Sequence, residues 1–354
     1  TMTKTKSIPL VLARELFSST LDQQNVQKEF HKELEVHADA LIEIQNQFGD
    51  LKITSWDENK VVIDVLITVK GTNSKRIQEK LDEIEVYFDL NPDHVIARTE
   101  IEESWSTKLF NRSRLSFRID YTFKLPRSNQ VDLTNDYGSI VLNALDGAAK
   151  INCDFGKLLI GELNSENNEL FFDYTNNSSF DFIRAAKIYA DFSSFDVEEA
   201  GRIKLEADYT SSEFNTLQEL EFKNDFGKLI IARINSLRGR GDYLTLKVGT
   251  LFHSAELDNE FGLIRINEVM PATQSIKINS EYTGVQLGIS PEWEFLHEID
   301  LEFASLKSSL NLDYKIQRTE STKKYYQGFH LNENTTNSLH ITSEFGSVKL
   351  TSNP

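Results

Sequence analysis

Six aspartates, each directly ahead of an aromatic residue, are the residues of this 354-residue chain best placed to do chemistry. They are Asp136-Tyr137, Asp154-Phe155, Asp173-Tyr174, Asp191-Phe192, Asp208-Tyr209 and Asp225-Phe226, and successive aromatics lie 18, 19, 18, 17 and 17 residues apart. Carboxylates repeated in this way offer two chemistries. A column of hard oxygen donors suits calcium, with Asp154, Asp173, Asp191, Asp208 and Asp225 as candidate ligands. Two acids converging in a groove beside a base or a metal could cleave a polysaccharide, and there Asp173, Asp191 and Asp208 are the candidates. The plainer reading is that each Asp finishes its own corner by an Asx-type hydrogen bond, with Lys157 and Lys228 offsetting charge. It is also the stronger one, because no Gly-Gly-x-Gly-x-Asp calcium repeat is present and a regular column makes a poor cleft. Stacked at sheet spacing, neighbouring carboxylates repel by about 0.9 kcal/mol in a water-like dielectric before salt screening.

The remaining reactive residues carry less. His31, His37, His94, His253, His297, His330 and His340 form no i, i+4 pair and have no cysteine neighbour, so nothing points to zinc. Cys153, the single cysteine, has the parity of a core position and forms no internal disulfide. No nucleophile elbow, phosphate loop or dinucleotide fingerprint occurs, and no catalytic residue or cofactor is assigned. Arg240-Gly241-Asp242 spells an integrin-binding tripeptide, but in a polar stretch that reads as a turn it is a chance occurrence. Trp105, Trp293, Tyr325 and Tyr326 could stack on sugars if exposed, although such residues more often cover an end or pack an insertion.

The elements that must position the acids follow from the repeat. Each unit runs apolar-x-apolar, a turn, acid-aromatic-small, then apolar-x-apolar, and later copies exchange Asp for Glu: Glu260-Phe261, Glu281-Tyr282, Glu302-Phe303 and Glu344-Phe345. A unit this short cannot bury its apolar face alone, whereas stacked units bury a continuous core with parallel strands about 4.8 Å apart. The spacing therefore predicts an all-β, right-handed parallel β-helix of about 18–21-residue coils. Counting alternation through each unit puts the aromatics inside, as a core ladder of Phe48, Tyr137, Phe155, Tyr174, Phe192, Tyr209, Phe226, Phe261, Tyr282, Phe303 and Phe345. The same parity puts Asn46, Asn135, Asn224 and Asn259 inside, and the small residue after each aromatic is expected at a tight corner where Gly tolerates positive φ. Between Phe226 and Phe261, Val248-Gly249-Thr250-Leu251 reads as a weak copy. An antiparallel sandwich would need more hairpin turns than the 16 glycines and 6 prolines provide.

The expected organisation is an N-terminal arm over residues 1–35 with a helical turn, then one solenoid domain over 36–354. Within it, 61–126 is an inserted strand-helix-strand layer, 131–354 the main array and 313–330 a hairpin excursion. In the insertion, Ile77, Leu81 and Ile84 fall on one helical face, with Ser74 as N-cap. The insertion and the tail after 345 would cap the exposed strand edges, or a homo-oligomer could do so.

The stretch Asn46-Gln47-Phe48-Gly49-Asp50-Leu51-Lys52-Ile53-Thr54-Ser55-Trp56-Asp57-Glu58-Asn59-Lys60-Val61-Val62-Ile63-Asp64-Val65, followed by acid-aromatic-Gly units, resembles the auto-transporter adhesin-like, head GIN-type domains of unknown function found in Bacteroidetes. The resemblance covers residues 28 to 354. It implies an exported or cell-envelope β-helix with no known catalytic residues, at the periplasm or cell surface. The only apolar run near the start, Ile8-Pro9-Leu10-Val11-Leu12-Ala13, falls short of a signal-peptide core, which leaves a removed signal, a remnant or none. The formal charge of −17 excludes free nucleic acid and anionic lipid as partners, and no stretch is long enough to span a membrane as a helix. The reading is thus a non-catalytic, adhesin-like binding or structural protein facing an envelope or surface protein or a glycan. The alternative is a polysaccharide-active lyase or hydrolase on the same fold.

Overall fold

The computed structural model describes residues 24–101 and 115–353, so the apolar run at 8–13 and Trp105 lie outside the described residues. The described chain is all-β, mostly parallel and unclosed, with one α-helix, and it divides into two compact units, 1–165 and 166–354.

In the first unit the strands Leu41–Gln47, Gln130–Asp136 and Ala149–Asp154 pair in parallel, as do Leu51–Trp56, Ser139–Leu145 and Lys157–Leu163. Each pair of legs is one rung. Ile42, Ile44, Leu133, Ile151, Leu142 and Ile160 point inward and are buried, which is the outcome that period-2 alternation demands. The rung at 41–56 is not the edge, because His94–Ile101 and Ser116–Pro126 pair with its other side. Residues 24–35 are not a helical arm. They form a strand antiparallel to Lys60–Gly71, with Phe30 opposite Val65. Lysines hid its alternation: Lys28 and Lys32 hold apolar-side positions by laying their stems and charges over Phe30 and Phe88. The helix spans Ser74–Glu83, and its N-cap is Asn73 rather than Ser74, because the Asn73 carboxamide oxygen accepts the Arg76 N–H at 3.1 Å.

The second unit repeats the rung more regularly. Ser178–Asp191, Ser194–Asp208, Ser211–Asp225, Lys228–Asp242 and Thr245–Val269 pair in parallel, with Ser194 opposite Ser211 and Ser211 opposite Lys228. The first four of these strands each join the second leg of one rung to the first leg of the next, and Thr245–Val269 runs on through Phe261. Phe172 from one leg meets Phe180 and Phe195 of the other at 6.4 and 5.4 Å, so the core lies between legs. The far end is threaded out of order. Ser338–Glu344 and Ser347–Ser352 lie between Ser275–Ile289 on one side and Phe295–Glu302 with Ser305–Ser308 on the other. The hairpin Asp313–Thr319/Lys323–His330 then pairs with Phe295–Glu302 on its outer side.

The aromatics are not core, which corrects the expected burial of the ladder. Phe48 is half-buried, Tyr137, Phe155, Tyr174, Phe192, Tyr209, Phe226, Phe261, Tyr282, Phe303 and Phe345 are 40 to 55% exposed, and every one has φ between 46° and 63°. A left-handed residue turns the chain out of the strand, so alternation cannot be counted through it. Tyr243 belongs to the same set and takes the place proposed for the weak copy at 248–251. Among the described residues no glycine has positive φ. The small residue after each ring is small for another reason: the inner side of the corner lies against the neighbouring rung, and a Cβ on Gly138 would sit 1.8 Å from the Gly49 carbonyl oxygen.

That inner slot is shared with the residue two places before the ring. Where the earlier residue is Asn or Cys the later one is Gly, as in Asn135/Gly138, Cys153/Gly156, Asn224/Gly227 and Asn259/Gly262. A Cβ at those glycines would meet the Asn or Cys side chain at 2.1 to 3.0 Å. Where the earlier residue is Ala, the later one is Ser or Thr, as in Ala190/Ser193 and Ala207/Thr210, and its hydroxyl fills the space. Gly227→Thr should therefore lower stability by about 2–3 kcal/mol through overpacking. Adding Asn224→Ala should recover at least half of that loss in urea melts of the double variant, and the two changes should be non-additive.

Candidate functional site

The acid and the ring of each rung form two adjacent columns. In the second unit the rings stack in the order Tyr174, Phe192, Tyr209, Phe226, Tyr243, Phe261, Tyr282, Phe345, Phe303, with centroids 4.8 to 5.1 Å apart and planes within 8°. In the first unit Phe48, Tyr137 and Phe155 stack in the same way, and Phe117 closes the outer face of Phe48 edge-on. The centroid spacing matches the spacing of strands in a sheet, so the rungs set the stack. Neighbours cover the ring faces, and the stripe presents ring edges to water. A ladder of this kind cannot offer its faces to sugars along its length.

Backbone groups at the corner are bonded from rung to rung. The Tyr209 N–H donates to the Asp225 carbonyl at 3.0 Å and the Phe226 N–H to the Asp242 carbonyl at 2.8 Å. The side chains of Asp173, Asp191 and Asp225 bond across rungs, where the Asx-turn reading places the bond at each residue's own corner. The N–H of Asp191 donates to Asp173 Oδ1, that of Asp208 to Asp191 Oδ1, and that of Asp242 to Asp225 Oδ1, at 3.0 to 3.1 Å. On the inner side the Thr210 hydroxyl donates to the Ala190 carbonyl at 2.8 Å and accepts the Ser193 N–H at 3.2 Å. Asn135 Nδ2 donates to the Gly49 carbonyl at 3.0 Å.

The acid column has a measurable electrostatic cost. Burial, and then Asp191 and Asp225, push the Asp208 carboxyl above the usual range, and burial with Asp154 does the same to Asp136. Glu260 is raised first by Asp242, then by burial and Glu281. Lys228 does not offset the column; it bridges Glu213 at 3.5 Å. Among the described residues no three His, Cys, Asp or Glu side chains converge as a metal site. Asp173, Asp191 and Asp208 do line one surface groove with Lys223. They stand one rung apart in equivalent surroundings, whereas an acid-base pair needs unlike ones.

The other sequence candidates fall elsewhere. Arg240, Gly241 and Asp242 lie in the strand Lys228–Asp242 rather than a turn, with Gly241 buried and Asp242 as a column acid. Trp293 is fully buried, its Nε1–H donating to the Thr273 carbonyl at 2.6 Å, so it offers nothing to a sugar. Tyr325 and Tyr326 are half-buried in the hairpin, and the Tyr325 hydroxyl donates to Glu298 at 3.0 Å. Cys153 is buried. Sequence reasoning missed the stacked pair Phe171 and Tyr189 on the outer face, whose 18-residue spacing was the available signal. It also missed the burial of His297 against the hairpin and of His330 at the hairpin's end, and desolvation lowers the His297 pKa.

These features define an open-ended, all-β repeat protein with an acidic and an aromatic column. No family model matches the sequence, and no curated protein does. Among solved structures it is similar to a "putative adhesin" from Parabacteroides merdae, at 10% identity over 73% of this chain and 95% of that one, with a TM-score of 0.39. A "putative lipid binding protein" from Parabacteroides distasonis matches at 9% identity over 92% and 97%, with a TM-score of 0.37. A "putative cell adhesion protein" from Clostridium sporogenes matches at 9% identity over 92% and 100%, with a TM-score of 0.20. Scores this low carry no argument about function.

Two outcomes follow from the columns. Tyr209→Ala loses two stacked contacts, about 1–2 kcal/mol, while keeping a strained left-handed backbone; Tyr209→Gly loses the same contacts but relieves about 1 kcal/mol of strain. Denaturant melts should thus rank wild type above Gly, and Gly above Ala. For Asp208, a raised folded pKa means that the ionised form is disfavoured in the fold, so its penalty is present above the folded pKa and fades as pH falls through it. Asp208→Asn should raise the melting temperature at pH 7 and raise it less near pH 4.

Proposed function

We propose that this chain is a non-catalytic, adhesin-like β-solenoid of the cell envelope, exported to the periplasm or cell surface, that presents a long repeated face to a surface protein or glycan. In this reading residues 36–354 form one domain, a right-handed helix of about 18–21-residue coils, with 61–126 inserted, and a second copy is an admissible partner for the ends. The observation that carries it is the equivalence of the rungs. Asp173, Asp191 and Asp225 each accept the backbone N–H of the next rung's acid, so the carboxylates act as structural acceptors and none is set apart for catalysis. A surface that repeats every rung suits an extended partner engaged many times over, where weak contacts add by avidity. Among the described residues no helix is long and apolar enough to cross a membrane. Fractionation of the host, followed by protease treatment of intact cells, should find the chain in the envelope, and a panel of acidic and neutral polysaccharides should show no cleavage. Recovery from the cytosol would remove the envelope role, and turnover of any polysaccharide would replace the reading with the lyase or hydrolase alternative.

A further inference from the structure

Tyr189 has a ring neighbour on one face only among the described residues. Phe171 and Tyr189 stand opposite each other on adjacent strands and stack with centroids 4.8 Å apart and planes 3° apart. The next residues in register are Glu206 and then Lys223, so the stack stops after two rings. A groove of about 290 Å³ runs from Phe171 and Asp173 past Tyr189 and Asp191 to Glu206, Asp208 and Lys223. Asp191 gives one carboxylate oxygen to the Asp208 N–H, and its other oxygen makes no bond among the described residues. Glu206 is exposed and makes no ion pair among the described residues. Lys223 is the groove's own cation, and it reaches Asp225 only at 4.0 Å.

We propose that this groove binds a guanidinium group, which takes the third place in the Phe171–Tyr189 stack and donates to Asp191, Glu206 and Asp208. An aromatic face is the negative side of the ring quadrupole and attracts a cation above it. A guanidinium is planar, so it can lie at the rung spacing against Tyr189, and its five N–H donors fan toward carboxylates in its own plane. An ammonium has the charge without the plane. A neutral sugar would cover the ring but desolvate the carboxylates with no compensating charge. The groove is larger than the guanidinium itself and leaves room for an alkyl stem. That stem can belong to a free small molecule or to an arginine side chain on a partner. The assignment goes beyond the adhesin-like reading and does not rest on it, since cytosolic recovery or polysaccharide cleavage would leave the titration below unchanged.

Calorimetric titration of the full chain at low salt decides the matter, with agmatine, putrescine and acetyl-Gly-Arg-Gly-amide as probes. Agmatine should bind at least tenfold more tightly than putrescine, which carries the same charge without a planar group. Tyr189→Ala and Glu206→Gln should each weaken agmatine at least fivefold, Tyr189→Phe should bind like wild type, and Lys223→Gln should tighten it. Peptide binding as tight as that of agmatine points to a protein arginine, and agmatine binding alone to a small molecule. Should Tyr189→Ala fail to fold, the exposed changes Glu206→Gln and Lys223→Gln still decide. No heat with agmatine, equal affinity for agmatine and putrescine, or indifference to Glu206→Gln would overturn the assignment.

Discussion

Register between rungs depends on one local conflict and its resolution. A bulky aromatic residue held at positive φ is strained by about 1 kcal/mol or more, and the chain repeats that strain at twelve corners. The strain is offset only between aligned rungs, where stacked rings contribute about 0.5–1.5 kcal/mol per pair beyond burial. Alignment also brings the N–H of rings such as Tyr137, Tyr209 and Phe226 to the carbonyl of the next rung's acid. A slip of one residue would put an aspartate at the left-handed position and a ring in the strand. Hydrophobic burial favours stacking in general, while the corner selects the single register in which the strain is compensated.

The same corner explains what could be read from the sequence and what could not. Spacing alone located eleven of the twelve rings, and the inward asparagines Asn46, Asn135, Asn224 and Asn259 are buried as their parity implies. Alternation gives the wrong side for the rings because the left-handed ring residue itself breaks the period-2 count. Tyr243 stood in plain view seventeen residues after Phe226, but Asp242 was read as the end of a tripeptide motif instead of a column acid. The strand at 24–35 was hidden by lysines, whose aliphatic stems serve an apolar face that a hydrophobicity pattern scores as polar. The groove beside Tyr189 depends on which rungs carry outward aromatics, and the repeat consensus does not contain that information.

Polar groups inside the corner do what core side chains do elsewhere. Asn, Ser and Thr fill the inner slot and bond to backbone groups of neighbouring rungs, and two positions divide one volume between them. The acid column adds carboxylates as acceptors on the outer side, at the expense of burial and then mutual repulsion at Asp136 and Asp208, and of repulsion first at Glu260. The column is therefore built first for folding, and any ligand that relieves its charge gains from tension already present.

The threading of the far end has a consequence for the order of events. Residues 338–352 lie between strands at 275–289 and 295–308 that leave the ribosome earlier. Those earlier strands cannot complete their sheet with each other, because the place between them is reserved. During synthesis the second unit can grow rung by rung only as far as 289, and then must wait with an open seam. This later stretch acts as a bolt, so a chain interrupted before it would present two unsatisfied sheet edges to whatever quality control it meets.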